Sequence, residues 1–135
     1  MSNLSLFLRK NKKQKENTFI AATKSLCDEE GKPLQWEVKA VSTRENNEIM
    51  EECMTLENGG KLNMNLYISK LAAKSVVFPN LNSAELQDSY GVMTPHELIQ
   101  EMIDDPGEYN EFVAFIRDYN GFNESMDDKV AEAKN

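Results

Sequence analysis

Residue types that could do chemistry are few in this 135-residue chain. There is one histidine, His96, and two cysteines, Cys27 and Cys53, with no CxxC pair. No usual zinc ligand pattern can be assembled from them. His96 falls at the second position of a capped helix start, and a general base there needs a partner within hydrogen-bond reach. No serine, cysteine or carboxylate is spaced to make a triad with it, and the positive helix start disfavours its protonation. Asp104-Asp105 and Asp127-Asp128 are paired in sequence only, because adjacent helix residues do not face each other. Glu45, Glu48, Glu51 and Glu52 crowd one helical pattern, but a hard cation wants a loop that wraps oxygens around it, so a solvated face is the better reading. Gly59-Gly60 lacks the spacing and the Lys-Ser/Thr ending of a phosphate loop. The residues therefore predict no catalytic, metal or cofactor site.

Function must then rest on surfaces, and the surfaces on the elements. Residues 18–26 and 34–41 read as two strands joined by the polar turn Cys27-Asp28-Glu29-Glu30-Gly31-Lys32-Pro33. In the second, Leu34, Trp36, Val38 and Ala40 alternate with Gln35, Glu37 and Lys39. A lone hairpin is marginal, so its Trp36 face must lean on helices or join strands from another copy.

At least four helical patterns follow, and the expected fold is α+β: an N-terminal hairpin, then a bundle of short helices. Ser42-Thr43-Arg44-Glu45 is a capping box that opens a helix to about Thr55, with Ile49, Met50, Cys53 and Met54 inward. Asn63 or Asn65 caps a helix over 65–77 carrying Leu66, Ile68, Leu71, Ala72, Val76 and Val77. Phe78-Pro79-Asn80-Leu81 is a stiff connector, and Ser83 caps a short helix that Gly91 ends. Thr94-Pro95-His96-Glu97 combines a cap with proline at the first helical position, followed by Leu98, Ile99, Met102 and Ile103. Asp105-Pro106-Gly107 reads as its stop. The last helix reads from Glu108, with Tyr109, Phe112, Val113, Phe115, Ile116 and Tyr119 on a wide apolar face and Gly121 as terminator. The two helices flanking so tight a break predict a helical hairpin with a shared seam.

Charge divides the chain. Residues 1–17 hold Arg9, Lys10, Lys12, Lys13 and Lys15 against Glu16, a net +4, which leaves −12 on the rest of a chain whose total is −8. An acidic body argues against general nucleic-acid binding. No apolar run is long enough to span a membrane, and the start places Leu4, Leu6, Phe7 and Leu8 before its charges, the reverse of a signal peptide. The expected compartment is the cytoplasm. Three segments follow: a basic flexible arm over 1–17, one domain over 18–122, and a polar tail over 123–135 with the composition of disorder. Residues 2–8 can start a short amphipathic helix, and its Leu4 and Phe7 are candidates for docking on a partner or another copy.

The phrases VVFPNL, AELQDSYGV and DDPGEY, with DEEGKPLQWEVKAVS upstream, resemble the XkdN-like family of phage tail assembly chaperones, as found in PBSX-type prophages. The likeness covers roughly residues 24–120. It implies a non-catalytic assembly factor that keeps the tape-measure protein soluble until tail-tube subunits polymerise around it. The wide aromatic face of the last helix then supplies the leading contact candidates, Phe112, Phe115 and Tyr119. From the residues alone, an acidic regulatory or immunity-type protein that sequesters one folded partner is the alternative.

The arm's composition generates the first prediction. In the isolated monomer, amides through 9–16 are expected to exchange with solvent within seconds, against hours in the core, as hydrogen exchange will measure.

Overall fold

The computed structural model describes residues 3–54 and 59–122. The polar tail and the Thr55 end of the first helical pattern lie outside them. Three strands, β1 (Thr18–Ile20), β2 (Trp36–Val38) and β3 (Val76–Phe78), form one antiparallel sheet in the order β1-β2-β3. Five helices, α1 (Thr43–Glu52), α2 (Met64–Ser75), α3 (Ala84–Ser89), α4 (Pro95–Met102) and α5 (Pro106–Tyr119), complete the α+β fold expected from the sequence.

The hairpin is present but shorter than its pattern. Thr18 pairs with Val38, Phe19 with Glu37 and Ile20 with Trp36. Beyond Ile20 the chain leaves the sheet because α5 recruits it: Glu108 accepts from the Thr23 hydroxyl at 2.7 Å and from the Lys24 amide at 2.9 Å. Leu34 lies before β2 in the turn, where its amide donates to Leu26, and its side chain is exposed rather than inward with Trp36.

The third strand was hidden in the sequence. The 65–77 helical pattern ends at Ser75, and Val76–Phe78 crosses to β2 instead of continuing as helix and connector. The physical reason is local: two β-branched valines are stiff at χ1, and the residue before a proline is pushed out of the helical region. The hairpin thus gains its third strand from its own chain. Glu37 pairs with Phe78 and Val38 with Val76, so Val77 is an extra residue in a bulge. Regular alternation would put Val76 and Phe78 on the same face. The bulge turns Phe78 over, so Val76 faces inward with Val38 while Phe78 joins Phe19 and Glu37 outside.

Trp36 is 1% exposed, and its ring meets Phe112 of α5 at 5.8 Å between centroids, tilted by 60°. α2 is the hub of the helical layer. It buries Ser69, Leu71, Ala72, Ala73 and Ser75, and its small residues admit close neighbours. The two buried hydroxyls donate back to the Leu66 and Leu71 carbonyls, so neither is left unsatisfied.

α4 buries Leu98, Ile99 and Met102 chiefly against α2. α5 packs on α2 and on the sheet, so the α4–α5 hairpin with a seam of its own is not formed. Asp105-Pro106-Gly107 is a start rather than a stop: Asp105 caps α5, accepting from the Glu108 amide at 2.9 Å, with Pro106 at the first helical position. α1 has its capping box, Ser42 with Glu45, but ends at Glu52. Met54 therefore sits past the helix in an isolated bridge to Leu62, exposed and not inward.

Trp36→Ala removes the buried ring that meets Phe112 and is expected to cost about 3–5 kcal/mol, read as a drop in thermal and urea midpoints.

Candidate functional site

α5 presents its aromatic residues at three depths. Phe112 is 1% exposed and belongs to the core under Trp36, so it supports the surface from beneath. Phe115 and Tyr119 are half-buried, one turn apart, with rings stacked at 6.1 Å and 2° between planes. Phe122 is exposed just past the helix end. Asn120 ties this end to the sheet, accepting from the Val41 amide at 2.7 Å and donating to Ile116.

The root of the N-terminal arm closes on the same place. The Lys15 ammonium sits 4.3 Å over the Tyr119 ring and donates to the Tyr119 carbonyl, while the Tyr119 hydroxyl donates to the Glu16 carbonyl. A cation over a tyrosine face is held by the ring quadrupole. Partial burial, then the Glu16 charge, push the Tyr119 phenol above its ordinary value. One residue on, Asn17 donates to the Glu37 carboxylate at 2.9 Å on the outer side of the sheet. The arm root therefore bridges the α5 aromatic pair to the sheet's outer face.

Beyond that root the arm forms two short 3-10 turns, Asn3–Phe7 and Arg9–Asn11, in place of an amphipathic helix. None of their residues is buried; Leu4 is exposed, and Phe7 is 83% exposed. The outer sheet face carries a second exposed apolar group, which reading the chain in order missed. Phe19 and Phe78, 61% and 64% exposed, flank Glu37 across three strands. The only signal for it was the Val76-Val77-Phe78 run before Pro79.

A cleft of about 770 Å³ opens between α1, α2, β3 and the start of α4, with Asn17 of the arm root and Val77 of β3 in its lining. Two of its three carboxylates are paired: Glu52 with Lys70 at 3.0 Å, and Glu45 with Lys74 and Lys39 at 3.7 and 3.8 Å. The Glu45 carboxyl is held below its usual value, first by the Ser42 amide it caps. His96 borders the cleft. Burial, then the Lys70 charge, hold its imidazole below the ordinary 6.5, against weaker pulls from Glu97 and Glu52. Among the described residues no group of three or more His, Cys, Asp or Glu side chains could hold a metal ion. Burial pushes the Cys53 thiol up, away from the reactive thiolate. What these surfaces offer is apolar and aromatic contact area beside a cationic arm.

The model of the phage XkdN-like tail assembly chaperone family matches residues 4–134. The chain belongs to this family. Two proteins of Bacillus subtilis (strain 168) are similar along almost their whole length. The uncharacterised protein YqbN is 25% identical over 98% of this chain and 93% of its own. The phage-like element PBSX protein XkdN is 24% identical over 98% and 94%. The crystal structure of YqbN superposes with a TM-score of 0.80 over 91% of this chain and 99% of that one, at 24% identity, which shows the same fold. Membership decides for an assembly factor over the regulatory or immunity-type alternative. No helix of the chaperone among the described residues is long and apolar enough to cross a membrane.

His96 generates a pH prediction. Its folded pKa is depressed, so the unfolded chain binds the proton more readily. The stability it contributes is present above about 6.5 and lost as pH falls toward the folded value. Between about pH 7.5 and about pH 5.5, His96→Gln is expected to lose less stability than wild type, measured as the shift in urea midpoint.

Proposed function

We propose that this chaperone acts without turnover by binding the tape-measure protein of its phage and keeping it soluble until tail-tube subunits take its place. Membership of the tail assembly chaperone family carries this reading. The stacked Phe115 and Tyr119, extended by the exposed Phe122, are the contact surface that suits it. A long and partly apolar client exposes a stripe that would otherwise self-associate. Stacked aromatics cover such a stripe at low entropic cost and without demanding a strict sequence. Many copies along one client give avidity, while modest affinity per copy lets tube subunits displace them singly.

Phe112 is not part of that surface, and substituting it would report on folding rather than on binding. Lys15 caps the Tyr119 ring, so client binding displaces or incorporates the arm root. Apolar contact of this kind weakens only slightly with salt.

Co-expression with the tape-measure protein of the same phage is expected to give a soluble complex on a sizing column. Phe115→Asp with Tyr119→Ala, at unchanged circular dichroism, is expected to weaken it at least ~10-fold, since hot-spot aromatics typically contribute ~2 kcal/mol or more each. An insoluble client with no complex removes the reading. A complex unaffected by both substitutions moves the contact off the end of α5.

A further inference from the structure

We infer that the N-terminal arm of one copy docks on the outer sheet face of a second copy, in reciprocal exchange, giving a two-fold dimer. The inference does not depend on which client the chaperone holds.

Two surfaces of the same chain carry matching groups. The arm places Leu6, Phe7 and Leu8 in solvent, followed directly by Arg9 and Lys10. The sheet places Phe19 and Phe78 in solvent on either side of Glu37, with Val77 exposed at the β3 edge. An apolar segment ending in cations thus faces two aromatic rings around a carboxylate.

Both surfaces stay exposed within one chain, so this arm does not cover its own sheet. Its root is held there nevertheless, by Lys15 and Glu16 at Tyr119 and by Asn17 at Glu37. From that anchor the polar stretch 9–14 reaches outward by at most ~20 Å, which suits a neighbour laid against the same side. Face-to-face pairing of two sheets is the poorer arrangement, because it would bring two Glu37 carboxylates together between apolar rings. The basic arm instead supplies the counter-charge, with five cations and one carboxylate against a body of net −12.

The area is adequate. Each half of a reciprocal exchange holds Phe7, Phe19 and Phe78, at ~150–250 Å² per fully buried ring. Allowing for the part already covered, six rings contribute roughly 800 Å² before the leucines are added, against the ~1,200–2,000 Å² of a specific interface. Two-fold closure uses both arms and both faces, and leaves no open end to polymerise.

The test is the oligomeric state of the full chain, by sedimentation velocity from about 1 to about 100 μM, a range that spans typical weak dimers. A reversible dimer is expected. Phe7→Asp, which lies on an exposed arm and leaves the fold intact, is expected to weaken it at least ~10-fold, as is Phe78→Asp at unchanged circular dichroism. Glu37→Lys is expected to weaken it, and adding Arg9→Glu with Lys10→Glu to restore it in part. Phe7→Cys mixed with Phe78→Cys is expected to give an inter-chain disulfide in the Cys27→Ser background. A monomer at every concentration, a dimer indifferent to Phe7→Asp, or charge reversals that fail to compensate would each overturn the inference. So would the doubly substituted Phe7→Cys, Phe78→Cys chain closing only within itself.

Discussion

Trp36 against Phe112 is the contact on which the rest of the molecule depends. Three short strands cannot hold themselves together, since a small sheet needs an apolar face pressed on something else. Trp36 and Val38 supply that face, and α5 meets Trp36 through Phe112, while Ile116 is buried in the same core. α5 is in turn fixed at both ends by hydrogen bonds to the hairpin. Glu108 holds Thr23 and Lys24 at its first turn, and Asn120 holds Val41 at its last. One helix therefore sets the place where the chain leaves the sheet. This also explains why the strands are shorter than their alternation suggests: polar groups on α5 compete for the backbone that would have prolonged the ladder.

Caps, inward positions and fold class were legible in the sequence because they depend on neighbours three or four residues away. Ser42, Asn63, Ser83 and Thr94 each cap the helix their pattern announced. Leu98, Ile99, Met102 and Ile103 are buried as their spacing required. What failed depended on distant partners. Asp105-Pro106-Gly107 carries the same residues whether it ends one helix or starts another, and α5 settles the matter by packing on α2 and the sheet. Val76 and Val77 fit an apolar helix face by spacing, while their β-branching and the proline after Phe78 favour extended chain. The open side of β2, which no local window reveals, gives that extended segment its pairing. The candidate contacts divide in the same way: periodicity placed Phe112, Phe115 and Tyr119 on one broad face but could not grade their depth.

The bulge at Val77 shows how a local irregularity becomes a surface. Turning Phe78 outward removes a large ring from a core already filled by Trp36, Val38 and Phe112, and places it level with Phe19. Glu37 then lies between two rings and accepts a hydrogen bond from Asn17. The same hydrogen bond fixes the point at which the basic arm leaves the body. The root of the arm and the outer face are thus joined through adjacent residues.

Charge segregation gives these apolar surfaces a tolerable setting. Residues 81–121 hold nine carboxylates and a single arginine, so the layer containing α3, α4 and α5 carries most of the negative charge. Repulsion between such layers keeps copies apart on that side at distances up to a Debye length of ~8 Å in physiological salt. On the sheet side Glu37 lies between exposed rings, and the neighbouring arm is cationic. Association is therefore directed by where like charge is missing as much as by where apolar area is present. Uniform charge would leave no apolar surface free to associate, and uniform apolarity would make every face of the molecule sticky.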